Sequence, residues 1–95
     1  MQGKIYNCAD KAEREEGLAI AVKAAKSGRL VVMPTDTLYG LGCDAFDNDA
    51  VASLLATKQR GPDMPVPVLV GSWDTIRGLV AEYTDTARAL VEAFW

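Results

Sequence analysis

The chain has 95 residues, 49% hydrophobic and 24% charged, with a formal net charge of −3 and no histidine. This is globular composition, enough for one domain with one modest core. The acidity excludes a bulk basic nucleic-acid module, and the missing histidine excludes His-ligated zinc, Ser-His-Asp triads and Cys-His dyads within the chain.

Lys4 to Asn7 reads as a short strand, with Ile5 and Tyr6 giving it β character. Asp10, with Glu13 three residues on, predicts a capping box opening a helix that runs to about Lys26. Its apolar stripe is Leu18, Ala21, Val22 and Ala25, its acids lie early and Lys23 and Lys26 late, and Gly28 follows as a natural C′ residue. Leu30 to Met33 is a continuous apolar run, expected to be a strand buried on both faces and ended by Pro34.

Pro34 to Asp44 reads as a specialised loop. Asp47-Asn48-Asp49 supplies caps for a second helix through about Lys58, with Val51, Leu54 and Leu55 as its stripe. Gly61 to Pro65 is turn-rich, and Val66 to Val70 reads as another strand, its start made irregular by Pro67. Ser72 is expected to cap a helix over Trp73 to Val80, and Thr84 a last one carrying Leu90, Val91 and Phe94. The order β-α-β-loop-α-β-α-α predicts an α/β domain over residues 1–95. A closing helix that ends on Phe94-Trp95, without a C′ glycine or polar tail, reads as the front part of something longer.

Cys8 and Cys43 are far apart and in no CxxC, which fits free thiols in a reducing cytoplasm. No apolar run approaches the roughly 18 residues of a membrane span, and the first residues show no signal peptide.

Two places carry candidate chemistry. The first is the bend after the apolar strand, where ligands of open α/β sheets bind. Thr35 and Thr37 bring hydroxyls, Asp36 a carboxylate and Tyr39 a phenol, while Gly40 and Gly42 permit positive φ or close backbone approach. A turn whose hydroxyls are satisfied by its own backbone is the alternative. The second is Lys58 and Arg60, the only cations between Arg29 and Arg77. They suit a helix C-terminus for its dipole alone, and they also suit phosphate, as a point charge beside a planar fork. Both serve one anion only if the helix has ended before Arg60. Asp44, Asp47 and Asp49 do not complete a calcium loop and read as caps and turn formers; the chain offers no metal ligand set. Trp73 and Trp95 read as core or interface anchors.

The run Pro34-Thr35-Asp36-Thr37-Leu38-Tyr39-Gly40-Leu41-Gly42, the helix ending Lys58-Gln59-Arg60, and Pro65 before an apolar stretch resemble the YrdC/YciO family, the TsaC-type threonylcarbamoyl-AMP synthases. The resemblance implies a twisted mixed sheet flanked by helices, only the N-terminal half of which is present. It also implies a nucleotidyltransferase that joins L-threonine, bicarbonate and ATP and releases pyrophosphate, with Mg²⁺ accompanying ATP. The product would serve threonylcarbamoyl-adenosine modification of tRNA, with downstream tRNA-modification proteins and tRNA itself as partners.

Thr35, Asp36, Thr37 and Tyr39 would then contact threonine, and Lys58 and Arg60 would bind ATP and act in catalysis. Those two are the first members of a Lys-Arg-Ser-Asn set whose remainder the resemblance puts beyond Trp95, so the 95-residue chain is expected to hold an incomplete site. Gly61, Met64 and Leu69 stand where family members carry proline, asparagine and histidine. The alternatives are an RNA-binding module of the same family, which the net charge disfavours, and an inactive fragment.

Overall fold

In the computed structural model, which describes residues 3–61 and 63–95, Asp10 opens the first helix, α1 (Lys11–Lys26). Its carboxylate accepts from the Glu13 backbone N–H at 2.9 Å. The Glu13 carboxylate reaches back, accepting from the Asn7 N–H at 2.9 Å instead of from the cap residue itself. The Asn7 carbonyl meanwhile accepts from the Asp10 N–H. With both backbone groups of Asn7 taken by the helix cap, the expected strand at Lys4–Asn7 does not form. Tyr6 packs instead on Gly17, where a Cβ would stand 2.9 Å from its ring. That contact turns the small residues Ala21, Ala24 and Ala25 to the half-buried side and leaves Leu18 and Val22 exposed. The stripe read from the sequence is therefore only half right.

Ser27 closes α1, and Gly28 follows at φ 81°. The Gly28 N–H donates to Ala25 O and the Arg29 N–H to Ala24 O, at 3.1 and 3.0 Å. These are the two bonds of a Schellman motif.

Strand β1 (Val31–Met33) pairs antiparallel with β2 (Gly40–Gly42), with Val31 opposite Gly42, Val32 opposite Leu41 and Met33 opposite Gly40. The second strand lies inside the stretch read as loop. Val32 is 68% exposed, so β1 is not buried on both faces. A two-stranded sheet has two free edges and, here, an open face. Asp44 then folds the chain into the second helix: its carboxylate accepts from the Phe46 N–H and its carbonyl from the Asp47 N–H, at 2.9 and 3.2 Å.

Asp47 caps α2 (Asn48–Thr57), accepting from the Ala50 N–H at 3.0 Å. Among the described residues the buried apolar core is Ala50, Leu54 and Leu55, at 2, 6 and 9% exposure. All three sit on α2, two of them on the expected stripe.

Residues 1–65 form one compact unit and residues 66–95 another. In the second, Val66 to Val70 makes no ladder, contrary to expectation. Pro65 and Pro67 have no N–H to donate, and Leu69 is 78% exposed. The next helix, α3 (Asp74–Leu79), is shorter than expected and is not capped by Ser72. The Ser72 hydroxyl bonds the Thr75 hydroxyl at 3.1 Å instead, and no side chain caps the helix at Trp73. Thr84 does cap α4 (Asp85–Phe94), accepting from the Ala87 N–H at 3.0 Å. The chain is thus α/β, and among the described residues its sheet is one antiparallel pair. No helix among the described residues is long and apolar enough to cross a membrane.

Candidate functional site

The six residues 34–39 connect β1 to β2, and all are exposed. The Thr35 hydroxyl organises them. It accepts from the Thr37 and Leu38 backbone N–H groups at 3.3 and 3.2 Å, and it donates to the Leu38 carbonyl. A hydroxyl has one proton and two lone pairs, so these three bonds saturate it. The Thr37 hydroxyl lies 3.4 Å from that of Thr35, within hydrogen-bonding distance. Asp36, Thr37 and Tyr39 lie exposed on the turn that Thr35 closes. Neither Gly40 nor Gly42 uses positive φ. Gly42 instead makes room for the Met33 side chain, whose Cε lies 2.6 Å from where a Cβ would be.

The two cations stand at the end of α2. Lys58 is its C-cap, with φ −83° and ψ 0°, and its N–H donates to Leu54 O at 3.0 Å. Gln59 follows at φ 56°, the only non-glycine positive φ among the described residues. Its N–H donates to Ala56 O, and the Arg60 N–H donates to Leu55 O at 2.9 Å. The helix has therefore ended before Arg60, which was the condition for both cations to serve one anion. Both side chains are exposed. Sequence reading singled out Lys58 and Arg60 and passed over the residue between them. The available signal was that a helix capped by Lys58 puts its C′ position on a residue that is not glycine.

The bend's hydrogen bonds close within residues 35–38, so no bond of the Thr35 network ties it to the cations. Two surface clefts form within residues 66–95. One, of about 530 Å³, is lined by Val70, Gly71, Ser72, Trp73 and Trp95; the other lies among Trp73, Arg77, Tyr83 and Arg88. Neither contains a residue of the bend, Lys58 or Arg60. Trp73 and Trp95 are half or more exposed and line a cleft, so they are not core anchors.

Among the described residues no group of three or more Cys, Asp or Glu is placed to hold a metal ion, and the Asp44–Asp49 stretch is occupied with caps and turns. Cys8 and Cys43 are both free. Burial, with help from the Asp44 and then the Asp47 carboxylate, pushes the Cys43 thiol above its ordinary value.

A relative from Mycobacterium leprae, provisionally named threonylcarbamoyl-AMP synthase, is 62% identical over 92 residues, 97% of this chain and 42% of its own length. A relative from Pyrococcus abyssi named threonylcarbamoyl-AMP synthase is 34% identical over 91 residues, 96% of this chain and 26% of its own length. One of that name from Methylococcus capsulatus is 37% identical over 78 residues, 82% of this chain and 42% of its own length. The chain thus spans less than half the length of these curated relatives. No solved structure matches it. The model of the Sua5/YciO/YrdC family, described as telomere recombination, matches residues 23–95. That match takes in the β1–β2 bend, α2 with its two cations, and the whole of residues 66–95, so the chain belongs to the Sua5/YciO/YrdC family.

Proposed function

We propose that this chain supplies part of the active site of a threonylcarbamoyl-AMP synthase. Family membership and the names of the relatives support the reading. The structural observation that carries it is the end of α2, where the helix stops at Lys58 and turns so that Arg60 follows outside it.

The chemistry needs positioning and charge neutralisation more than covalent help from side chains. The threonine amine adds to bicarbonate with loss of water, giving a carbamate. A carbamate oxygen attacks the α-phosphorus of ATP, the bond to the bridging oxygen of the β-phosphate breaks, and pyrophosphate leaves with that electron pair. Charge accumulates on the leaving phosphates. Lys58 as a point charge and Arg60 as a planar fork would neutralise it there, a task that needs no histidine. Thr35, Asp36, Thr37 and Tyr39 contact threonine, whose ammonium group releases one proton to solvent before the neutral amine adds to bicarbonate. Mg²⁺ would enter with ATP, held by phosphate oxygens; the described residues of this chain offer it no cage of their own. The adenylate would then serve threonylcarbamoyl-adenosine formation in tRNA, in a cytoplasmic setting.

The test is threonine- and bicarbonate-dependent pyrophosphate release from ATP. It is measured on a chimera in which this chain replaces the matching 92 residues of the Mycobacterium leprae relative. The chimera should release pyrophosphate, and Lys58→Ala and Arg60→Ala should each lower kcat/KM by about 10²-fold or more, the scale of losing one group that stabilises transition-state charge. An inactive chimera, or wild-type rates in both variants, contradicts the proposal.

A further inference from the structure

From the cleft between α3 and α4 we infer a binding site for a small zwitterion, of the class of a free α-amino acid with an apolar side chain. The site uses no residue of the bend and neither Lys58 nor Arg60, and it lies wholly within residues 66–95.

Residues 66–95 carry two cations, Arg77 and Arg88, against four acids, Asp74, Glu82, Asp85 and Glu92. One arginine is on α3 and the other on α4. The fold nevertheless brings both to the wall of one cleft of about 110 Å³, whose remaining lining is Trp73, Asp74, Tyr83 and Glu92. Tyr83 is half-buried, and the Arg88 guanidinium lies over its ring, 5.5 Å from the centroid. Such stacking orients a planar guanidinium and leaves its edge free to donate. Asp74 and Glu92 share the cleft with the arginines, yet among the described residues no ion pair within 4.0 Å joins them. Arg88 and Glu92 are four apart on α4 with the cation first, the weaker order for a helix pair. Exposed pairs of this kind gain little in any case, so a ligand that satisfies both signs meets little competition.

Sign, size and surface together select the ligand. Two arginines suit an oxyanion. Two carboxylates on the same walls repel a bare phosphate and attract an ammonium group. The excess of acids over cations in residues 66–95 also disfavours a nucleic-acid strand, whose binding rests on neutralised phosphates. At about 110 Å³ the cleft is well below the roughly 300 Å³ at which drug-sized sites begin, too small for a nucleotide. A molecule with a carboxylate and an ammonium group on one carbon matches both signs in that space. The rings of Trp73 and Tyr83 offer its side chain apolar contact.

The experiment is an NMR titration of the 95-residue chain with L-leucine and with its two halves, 4-methylpentanoate and 3-methylbutylamine. Signals of the Trp73 indole, the Tyr83 ring and the Arg88 side chain are followed, beside thermal unfolding of each variant. L-Leucine should give saturable shifts at these three residues, and each half should bind about tenfold or more weakly, the scale of one charge-assisted contact. Arg88→Gln should weaken L-leucine about tenfold, and Arg88→Lys should recover only part of that, because the planar fork is lost. The double variant Asp74→Asn, Glu92→Gln should weaken L-leucine while tightening 4-methylpentanoate. That crossed change cannot come from a loss of structure, and all four charged side chains are exposed. No saturable shift with L-leucine, or shifts centred on residues 35–39, overturns the inference. So does inorganic phosphate binding as tightly as L-leucine, which marks a plain anion site. Equal binding of L-leucine and 4-methylpentanoate, or unchanged affinity in Arg88→Gln, overturns it as well, since the charges would then pair only with one another or with water.

Discussion

Thr35 shows how one side chain of a candidate site can also hold the local fold. Its hydroxyl closes the bend on the backbone of Thr37 and Leu38, and its neighbours are exposed. The identity of the residues was readable from the sequence; the division of labour among them was not, since a hydroxyl's partners depend on the loop path. Cys43 makes a similar point for ionisation. Burial first, then the Asp44 and Asp47 carboxylates, raise its thiol above the ordinary value of 9.0. The folded state holds that proton more tightly than the unfolded state. The stability linked to it is complete below pH 9 and is lost as the pH rises through the raised value. Denaturant unfolding from pH 8 to 10.5 should therefore show the wild type losing stability more steeply than Cys43→Ala. Parallel curves for the two would contradict the assignment.

At the scale of elements, the caps were the most legible feature. Asp10, Asp47 and Thr84 each accept from the N–H three residues on, because capping is decided within four residues. The strands were least legible. Val66–Val70 has the composition of a strand, but a strand exists only with a partner, and composition does not supply one. The stretch Gly40-Leu41-Gly42 has poor strand composition and forms β2 because the saturated Thr35 turn returns the chain alongside Val31–Met33. The junction between α1 and α2 carries a sharp prediction. Gly28 stands at φ 81°, and a Cβ there would lie 2.8 Å from the Asp47 carboxylate that caps α2. Gly28→Ala should therefore loosen two helix ends together, lowering unfolding free energy by about 1–2 kcal/mol for the backbone alone and by more if the Asp47 cap is displaced. A change within about 0.5 kcal/mol, typical of an unremarkable surface site, would show that the junction is not held as described.

At the scale of the molecule, one small core on α2 is accompanied by much uncovered apolar surface. Val32, Leu69 and Phe94 are 68, 78 and 80% exposed, and Val32 sits in the run expected to be buried on both faces. Periodicity identifies which face of an element is apolar; it does not say what covers that face. The α/β class and the family motif were legible because they are local in sequence. The bend and the cation pair are likewise each local, and joining them into one site is the claim that needs a distance-sensitive measurement. Amide and methyl NMR of the labelled chain, titrated with ATP and then L-threonine, supplies it. Shifts on adding ATP should centre on residues 58–60, and those on adding threonine should centre on residues 35–39, with each ligand strengthening the response to the other. Shifts confined to the Trp73–Trp95 cleft, or no response at residues 35–39 and 58–60, would contradict the account.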